Sequence, residues 1–252
     1  MKKNSGVFSR ILTSLILIVS LCLMISVADL LSSFITVGGF TFVSDEVTLS
    51  KFSIYALSTS NHQTLVLAED DANNCIMQGG AGYIYIDNNY YVIASMYENE
   101  ADAEKVKTTL LETKPQAYIL TINIPAINIT SNLSSQEKNT LQDTLSIFKT
   151  TFQKLYDISV GLDTSVIKEI NARLSVNELA STVTTTCDNF ETVFLGTKST
   201  NLLTIKKSIN DLKDKIDLLV NNSKTPYTSY IKYAYCETIF IYKNLAESLI
   251  NN

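Results

Sequence analysis

The chain has 252 residues, 46% of them hydrophobic, so it is long enough to build two small domains with cores of their own. Its net charge of −5 argues against nucleic acid as a partner, because such a partner selects for an excess of positive charge. The chain has no tryptophan and one histidine, His62, which limits histidine-based catalysis and metal binding from the outset.

The N-terminal region combines a short basic start with an uncharged apolar stretch. Lys2, Lys3 and Arg10 precede residues 11–28, which contain no charged side chain. About 20 apolar residues span a bilayer, and basic residues stay on the cytoplasmic side. We therefore predict a cytoplasmic tail at residues 1–10 and a single-pass transmembrane anchor at residues 11–36.

A cleaved signal peptide is the alternative reading of this region. Residues 26–28, Ser-Val-Ala, are small enough for a signal peptidase. Residues 30–42 remain largely apolar, which favours an uncleaved anchor. With either outcome, the bulk of the chain is predicted to be extracytoplasmic and held at a bacterial cell membrane.

Residues 45–126 are predicted to form a small α+β domain with the order β-α-β-β-α-β. Apolar alternation and β-branched or aromatic residues favour four strands. Helical spacing and local stop and cap residues favour two helices, the first ended by Gly79-Gly80 and the second capped by Asn99. The predicted strands are residues 52–58, 81–86, 90–97 and 117–124, and the predicted helices are residues 64–78 and 99–113.

The rest of the chain is predicted to be helical. Residues 127–133 are rich in Asn, Ser and Thr and are interpreted as a linker. From residue 134 to residue 252, apolar residues recur at alternating spacings of three and four, which is typical of an antiparallel helical bundle. Ser134 with Glu137, and Ser175 with Glu178, have the spacing of capping boxes and predict two helix starts.

Few residues suggest chemistry. His62 is expected in an exposed loop, and no Ser or Cys has the local signature of a nucleophile. The acids at 98, 100 and 102 surround a predicted helix start, where they would stabilise the helix dipole. The glycines at 79, 80 and 82 lack the Lys-Ser/Thr of a phosphate-binding loop. We predict no enzyme activity, no cofactor and no metal site.

The four cysteines have no metal-binding or redox spacing. Cys22 lies in the apolar N-terminal stretch, and the other three are far apart in the sequence. We expect them to be small buried hydrophobic residues. A disulfide between Cys187 and Cys236 remains an alternative.

Tyrosines are concentrated in the predicted strands of the small domain. Two helices connecting strands in this order would cover one sheet face and leave the other open. Adjacent Tyr90 and Tyr91 must point to opposite faces, so one large aromatic ring would lie on the open face, where it could stack on a sugar. The other strand tyrosines are Tyr55, Tyr83, Tyr85, Tyr97 and Tyr118.

Residues of about 48–126 resemble the SPOR family, the sporulation- and division-related domains that recognise peptidoglycan glycan strands stripped of their stem peptides. The resemblance rests on the stretch from Tyr90 to Tyr97, followed by Glu100-Ala101-Asp102-Ala103, with residues 52–58 as the first strand. It implies a SPOR-like (ferredoxin-like) βαββαβ domain. The glycan-binding residues that it implies or that we infer beside it are Tyr55, Tyr83, Tyr85, Tyr91, Ile93 and Ser95.

The sequence therefore predicts three regions: an N-terminal transmembrane helix, a SPOR-like domain at residues 45–126 and an all-α antiparallel bundle at residues 134–252. The predicted function is non-catalytic binding and localisation to peptidoglycan glycan strands during sporulation or cell division. The alternative is a scaffold that binds a protein partner of an envelope complex through the helical bundle, without glycan binding. A hydrolase is a weaker third reading.

Overall fold

The computed structural model describes residues 42–43, 46–112, 114–130 and 132–250. Phe42–Asn252 is one compact unit, in which helices and sheets pack on each other. The predicted tail and anchor, residues 1–10 and 11–36, lie outside the described residues.

Seven strands and six helices make up the described part of the chain. The strands are β1 (Phe42–Val43), β2 (Glu46–Leu49), β3 (Phe52–His62), β4 (Tyr83–Asp87), β5 (Asn89–Tyr97), β6 (Tyr118–Ile124) and β7 (Ile127–Thr130). The helices are α1 (Leu65–Met77), α2 (Glu100–Leu110), α3 (Ser135–Asp163), α4 (Glu169–Val193), α5 (Thr200–Val220) and α6 (Tyr227–Ile250).

The larger sheet has four antiparallel strands in the order β4-β5-β3-β6. Its four strands and the helices α1 and α2 follow one another in the predicted order β-α-β-β-α-β. Strand β3 is four residues longer than predicted. Two irregularities in the pairing of β3 with β5, between Leu57 and Ser58 and between Ser58 and Ser60, interrupt the alternation of its side chains. Such bulges redirect neighbouring side chains, so the faces of β3 cannot be counted simply by twos.

The predicted architecture, with its transmembrane helix, small α+β domain and separate helical bundle, is wrong. The described chain is an α+β protein with six helices and two small sheets, and none of its helices has both the length and the apolar character of a bilayer span. The second sheet, in the order β1-β2-β7, was not expected. Its strand β7 occupies part of the predicted linker at residues 127–133, because Ile127 and Ile129 alternate with polar residues and are buried.

The last four helices form a four-helix arrangement in which each helix packs on the next one in the sequence. Helix α6 also packs on α3, which closes the arrangement. Ser134 forms the predicted capping box with Glu137, which confirms the start of α3. The second capping box is wrong: α4 begins at Glu169 and runs through Ser175 without interruption. Its core residues Ala172, Val176 and Leu179 bury one continuous stripe, so tertiary packing overrides the local start signal.

The bundle and the sheets share one core. Helix α6 packs on β5, β6 and β7, and α3 packs on β2. Helices α4 and α5 lie beyond them and make their main contacts with other helices. Cys187 and Cys236 are buried free thiols, so the disulfide that the sequence left open is absent.

Candidate functional site

The tyrosine-rich face of the sheet packs against helix α6. The Phe240 ring of α6 stacks on Tyr83, with centroids 5.2 Å apart and ring planes 10° apart. The same ring stacks on Tyr85 at 4.9 Å and 13°. Tyr233, about two helical turns earlier, also contacts Tyr83, with ring centroids 5.3 Å apart. Aromatic residues of α6 therefore occupy the positions over β4 that a stacked ligand would need.

The pairing of β4 with β5 places two more of the predicted glycan-binding residues on this face. Ile93 pairs with Tyr83, and Tyr91 pairs with Tyr85, and directly opposed residues of an antiparallel pair share a face. Ile93 is fully buried. Tyr91 is half-buried, and its ring contacts those of Tyr85 and Tyr118 at 6.3 and 5.8 Å.

The remaining two predicted residues lie nearer the other end of the sheet. Ser95 donates a hydrogen bond of 2.7 Å to the hydroxyl of Tyr97, whose ring contacts Tyr156 of α3. Tyr55 is half-buried and pairs with Tyr97. The structure thus groups Tyr83, Tyr85, Tyr91 and Ile93 on a face where α6 packs, while Tyr55 and Ser95 lie beyond the irregularity in β3.

The electrostatics of this face are those of a hydrophobic interface. Burial raises the pKa of the Tyr83 hydroxyl well above its usual value, and the neighbouring Cys236 and Tyr233 act in the same direction. Burial also raises the pKa of Tyr85 and Tyr97. Tyr83, Tyr85 and Tyr97 are therefore neutral at physiological pH and contribute packing and hydrogen bonding rather than charge.

A polar pocket of about 240 Å³ lies on a different part of the sheet unit. It is formed by β3, by α1 and by the segment that leads into β6. This pocket could not be predicted from the sequence, because its residues are far apart in the chain. It is lined by Thr59, Ser60, Asp71, Cys75, Gln78, Lys114, Pro115 and Gln116.

His62 stands beside this pocket rather than in an exposed loop. It is the last residue of β3 and is half-buried, so the expectation of an exposed loop histidine was wrong. Its Nε2 lies 2.7 Å from Oδ2 of Asp71 on α1. No group of three or more His, Cys, Asp or Glu residues that could hold a metal occurs among the described residues.

No known family model matches the chain, and neither curated proteins nor solved structures give a match. The SPOR resemblance therefore stays a prediction from the residues alone.

Proposed function

We propose that this chain is a non-catalytic scaffold of the bacterial cell envelope that binds a partner protein through the outer helices of its bundle. The observation that carries the proposal is a set of large apolar side chains exposed on α4 and on the segment leading into it. Val166, Ile170 and Leu174 follow one another at intervals of four residues and are 80%, 63% and 56% exposed. Exposed apolar residues grouped on one helix face are typical of protein interaction sites.

The geometry of the bundle supports this assignment. Ala172 and Val176 of α4 point into the core, so Ile170 and Leu174 lie on the outward side of the same helix. Arg173 donates from Nη1 to the carbonyl oxygen of Asn222, which brings the start of α4 next to the end of α5. Leu218, near that end of α5, is 66% exposed. Val166, Ile170, Leu174 and Leu218 are thus exposed at one end of the outer helix pair, and Leu195 and Leu203 are exposed at the other end.

The envelope location rests on the sequence alone. Lys2, Lys3 and Arg10 before the uncharged residues 11–28 support an exported chain with a membrane anchor. The burial of the tyrosine face under α6 supports the scaffold over the glycan-binding function, because a stacked sugar would need the space that Phe240 occupies.

The experiment compares two single charge substitutions in cross-linking on intact cells. Leu174→Glu lies within the proposed interface, and Leu67→Glu places the same change at an exposed leucine of α1. We expect a discrete cross-linked complex with the unchanged chain and with Leu67→Glu, and its loss with Leu174→Glu. A complex of equal yield in both variants, or none with the unchanged chain, contradicts the proposal.

A second candidate function is binding of peptidoglycan glycan strands, which the SPOR resemblance implies. The observation that favours it is the ring cluster of Tyr85, Tyr91 and Tyr118, of which Tyr91 and Tyr118 make no ring contact with α6 among the described residues. A half-buried aromatic pair of this kind could stack on a sugar ring.

A pull-down with purified sacculi, intact and amidase-treated, tests this second function. Tyr91→Ala removes a ring from the cluster, and Tyr90→Ala removes its neighbour, which packs against α1 on the opposite face. Glycan binding predicts retention on amidase-treated sacculi that Tyr91→Ala loses and Tyr90→Ala keeps, with circular dichroism showing that both variants are folded. Absence of retention on both preparations excludes it.

A further inference from the structure

We propose that the pocket between α1, β3 and residues 114–116 binds a small zwitterion of the size of a single α-amino acid. Its volume, about 240 Å³, lies below the roughly 300–1,000 Å³ of pockets that hold drug-sized ligands. The pocket is independent of the tyrosine face and of the exposed apolar residues of α4.

The backbone of β3 directs polar side chains into this pocket. Because of the pairing irregularity between Ser58 and Ser60, the adjacent residues Thr59 and Ser60 both line it, which regular alternation would forbid. Bulges occur preferentially beside functional sites for this reason.

The hydroxyl of Ser60 is a polar group without a hydrogen-bond partner among the described residues. Its side chain is 8% exposed, and its Oγ is buried without a hydrogen-bond partner of good geometry within the described residues. Ser60 nevertheless lies close enough to Asp71 to help lower the pKa of that carboxyl. An unsatisfied buried hydroxyl is costly, about 1–3 kcal/mol, and a ligand group that bonds to it removes that penalty.

Two opposite charges border the same space. Asp71 receives His62 on Oδ2 only, so the carboxylate keeps an oxygen for a further donor. Burial raises the pKa of Asp71, but the nearby Ser60 hydroxyl, the contact with His62 and the positive charge of Lys114 outweigh it and hold the pKa below its usual value. Asp71 is therefore ionised at neutral pH.

Lys114 supplies the positive charge. The charge of its ammonium group acts to lower the pKa of both Asp71 and Cys75. Lys114 forms no ion pair with any described residue. Burial raises the pKa of the Cys75 thiol, so this side chain stays protonated and forms part of the pocket wall as a small, weakly polar group.

The pair of charges determines the class of ligand. A simple anion would be repelled by the Asp71 carboxylate, and a simple cation would be repelled by the Lys114 ammonium. A ligand with both an ammonium and a carboxylate group satisfies each charge and leaves neither opposed by its own sign. The amides of Gln78 and Gln116 and the hydroxyl of Ser60 add hydrogen-bonding groups around it, and Pro115 offers a surface to a short apolar side chain.

The test is a binding screen of the full chain against each common L-α-amino acid, with sodium acetate and methylammonium chloride as single-charge probes. We expect at least one amino acid to raise the melting temperature in a saturable way and to shift amide resonances of residues 59–60 and 114–116. Neither single-charge probe should do so at equal concentration.

Two pairs of variants locate the binding. Lys114→Met and Asp71→Asn should each weaken binding at least tenfold. Their matched controls, Lys105→Met and Asp70→Asn, change the same residue types at exposed positions of α2 and α1 and should leave binding unchanged. If no amino acid binds, if acetate binds equally well, or if control and pocket variants behave alike, the proposal is wrong.

Discussion

At the scale of single residues, Gly82 is a position where both the backbone conformation and the surrounding atoms exclude a side chain. Its φ of +61° lies in the left-handed region, and a Cβ placed there would meet the Ala72 carbonyl oxygen at 2.5 Å and Cγ1 of Ile76 at 2.6 Å. We predict that Gly82→Ala destabilises the protein by more than the roughly 1–3 kcal/mol of backbone strain alone, measured by urea unfolding.

Gly196 is the matched control for this prediction. Its φ is +76°, but a Cβ at that position would meet no atom within 4 Å. Gly196→Ala should therefore show backbone strain without steric conflict and destabilise the protein less than Gly82→Ala. Equal losses of stability in the two variants would show that the close approach of α1 to Gly82 has no energetic consequence.

The lowered pKa of Asp71, which contacts His62, predicts a dependence of stability on acid pH. The pKa of Asp71 is lower in the folded chain than its unfolded value of about 3.9, so the ionised Asp71 carboxylate stabilises the fold above that pH. This stability is lost as the pH falls through the folded pKa. The Asp71 side chain is 38% exposed, which limits the effect to less than about 1 kcal/mol.

The measurement is urea unfolding at pH 7 and at pH 3 for the unchanged chain and for Asp71→Asn. We expect Asp71→Asn to be the less stable protein at pH 7 and the difference to shrink at pH 3. The exposed substitution Asp70→Asn serves as the control and should show little difference at either pH. A difference for Asp71→Asn that is the same at both values would contradict the assignment.

The sequence predicts contacts between residues within one helical turn, such as helix caps, but not contacts between residues that are far apart in the chain. Asn99 accepts from the Ala101 amide and Ser134 forms its capping box, since a cap involves residues within one turn. The contact of His62 with Asp71 was missed because it requires β3 to continue past residue 58. The pocket residues were missed for the same reason, since a bulge decides which of them point inward.

At the scale of elements, the contact of α6 with the sheet depends on Phe240. This ring is 8% exposed and stacks on both Tyr83 and Tyr85. We predict that Phe240→Ala lowers the free energy of unfolding by about 3–5 kcal/mol, the usual loss for truncating a buried phenylalanine. Chemical denaturation followed by circular dichroism measures this loss.

Phe240→Leu separates the ring stacking from the burial of apolar surface. Leucine keeps much of the apolar volume and loses the aromatic contacts, which are worth about 0.5–1.5 kcal/mol per pair beyond area. We expect a loss intermediate between zero and that of Phe240→Ala. If Phe240→Ala proves no more destabilising than an exposed substitution, α6 does not depend on this contact.

The sequence predicted that residues 134–252 form packed helices but not that α6 has two buried faces. The seam residues Ile231, Ala234 and Leu245 are buried, as their spacing indicated. Tyr235, Phe240 and Tyr242 are also buried, around the sides of the same helix. The available signal was that α6 is apolar nearly all round, which indicates burial on more than one side, but periodicity alone does not say against what.

At the scale of the whole molecule, the sheet and the bundle stabilise each other through one continuous interface. Phe52, at the start of β3, contacts Phe152 of α3 and Tyr242 of α6, with centroids 6.1 and 6.0 Å apart. Ser229 donates to the carbonyl oxygen of Ile76, and Lys232 donates to that of Gly79, which ties α6 to the end of α1. The sequence predicted a linker between two domains at residues 127–133. The structure instead has strand β7 at Ile127–Thr130, and the sheets and the bundle on either side of it pack together.

This shared interface predicts that the sheet and the bundle unfold together. Separating them would expose Phe52, Tyr83 and Phe240 at once, and the buried area lost on both sides couples their stabilities. Hydrogen exchange read out by mass spectrometry over a urea series should show β5 and α4 losing protection at the same urea concentration. Phe240→Ala should move the two transitions apart. Two separate transitions in the unchanged chain would mean that the bundle and the sheet are independent folding units that merely touch.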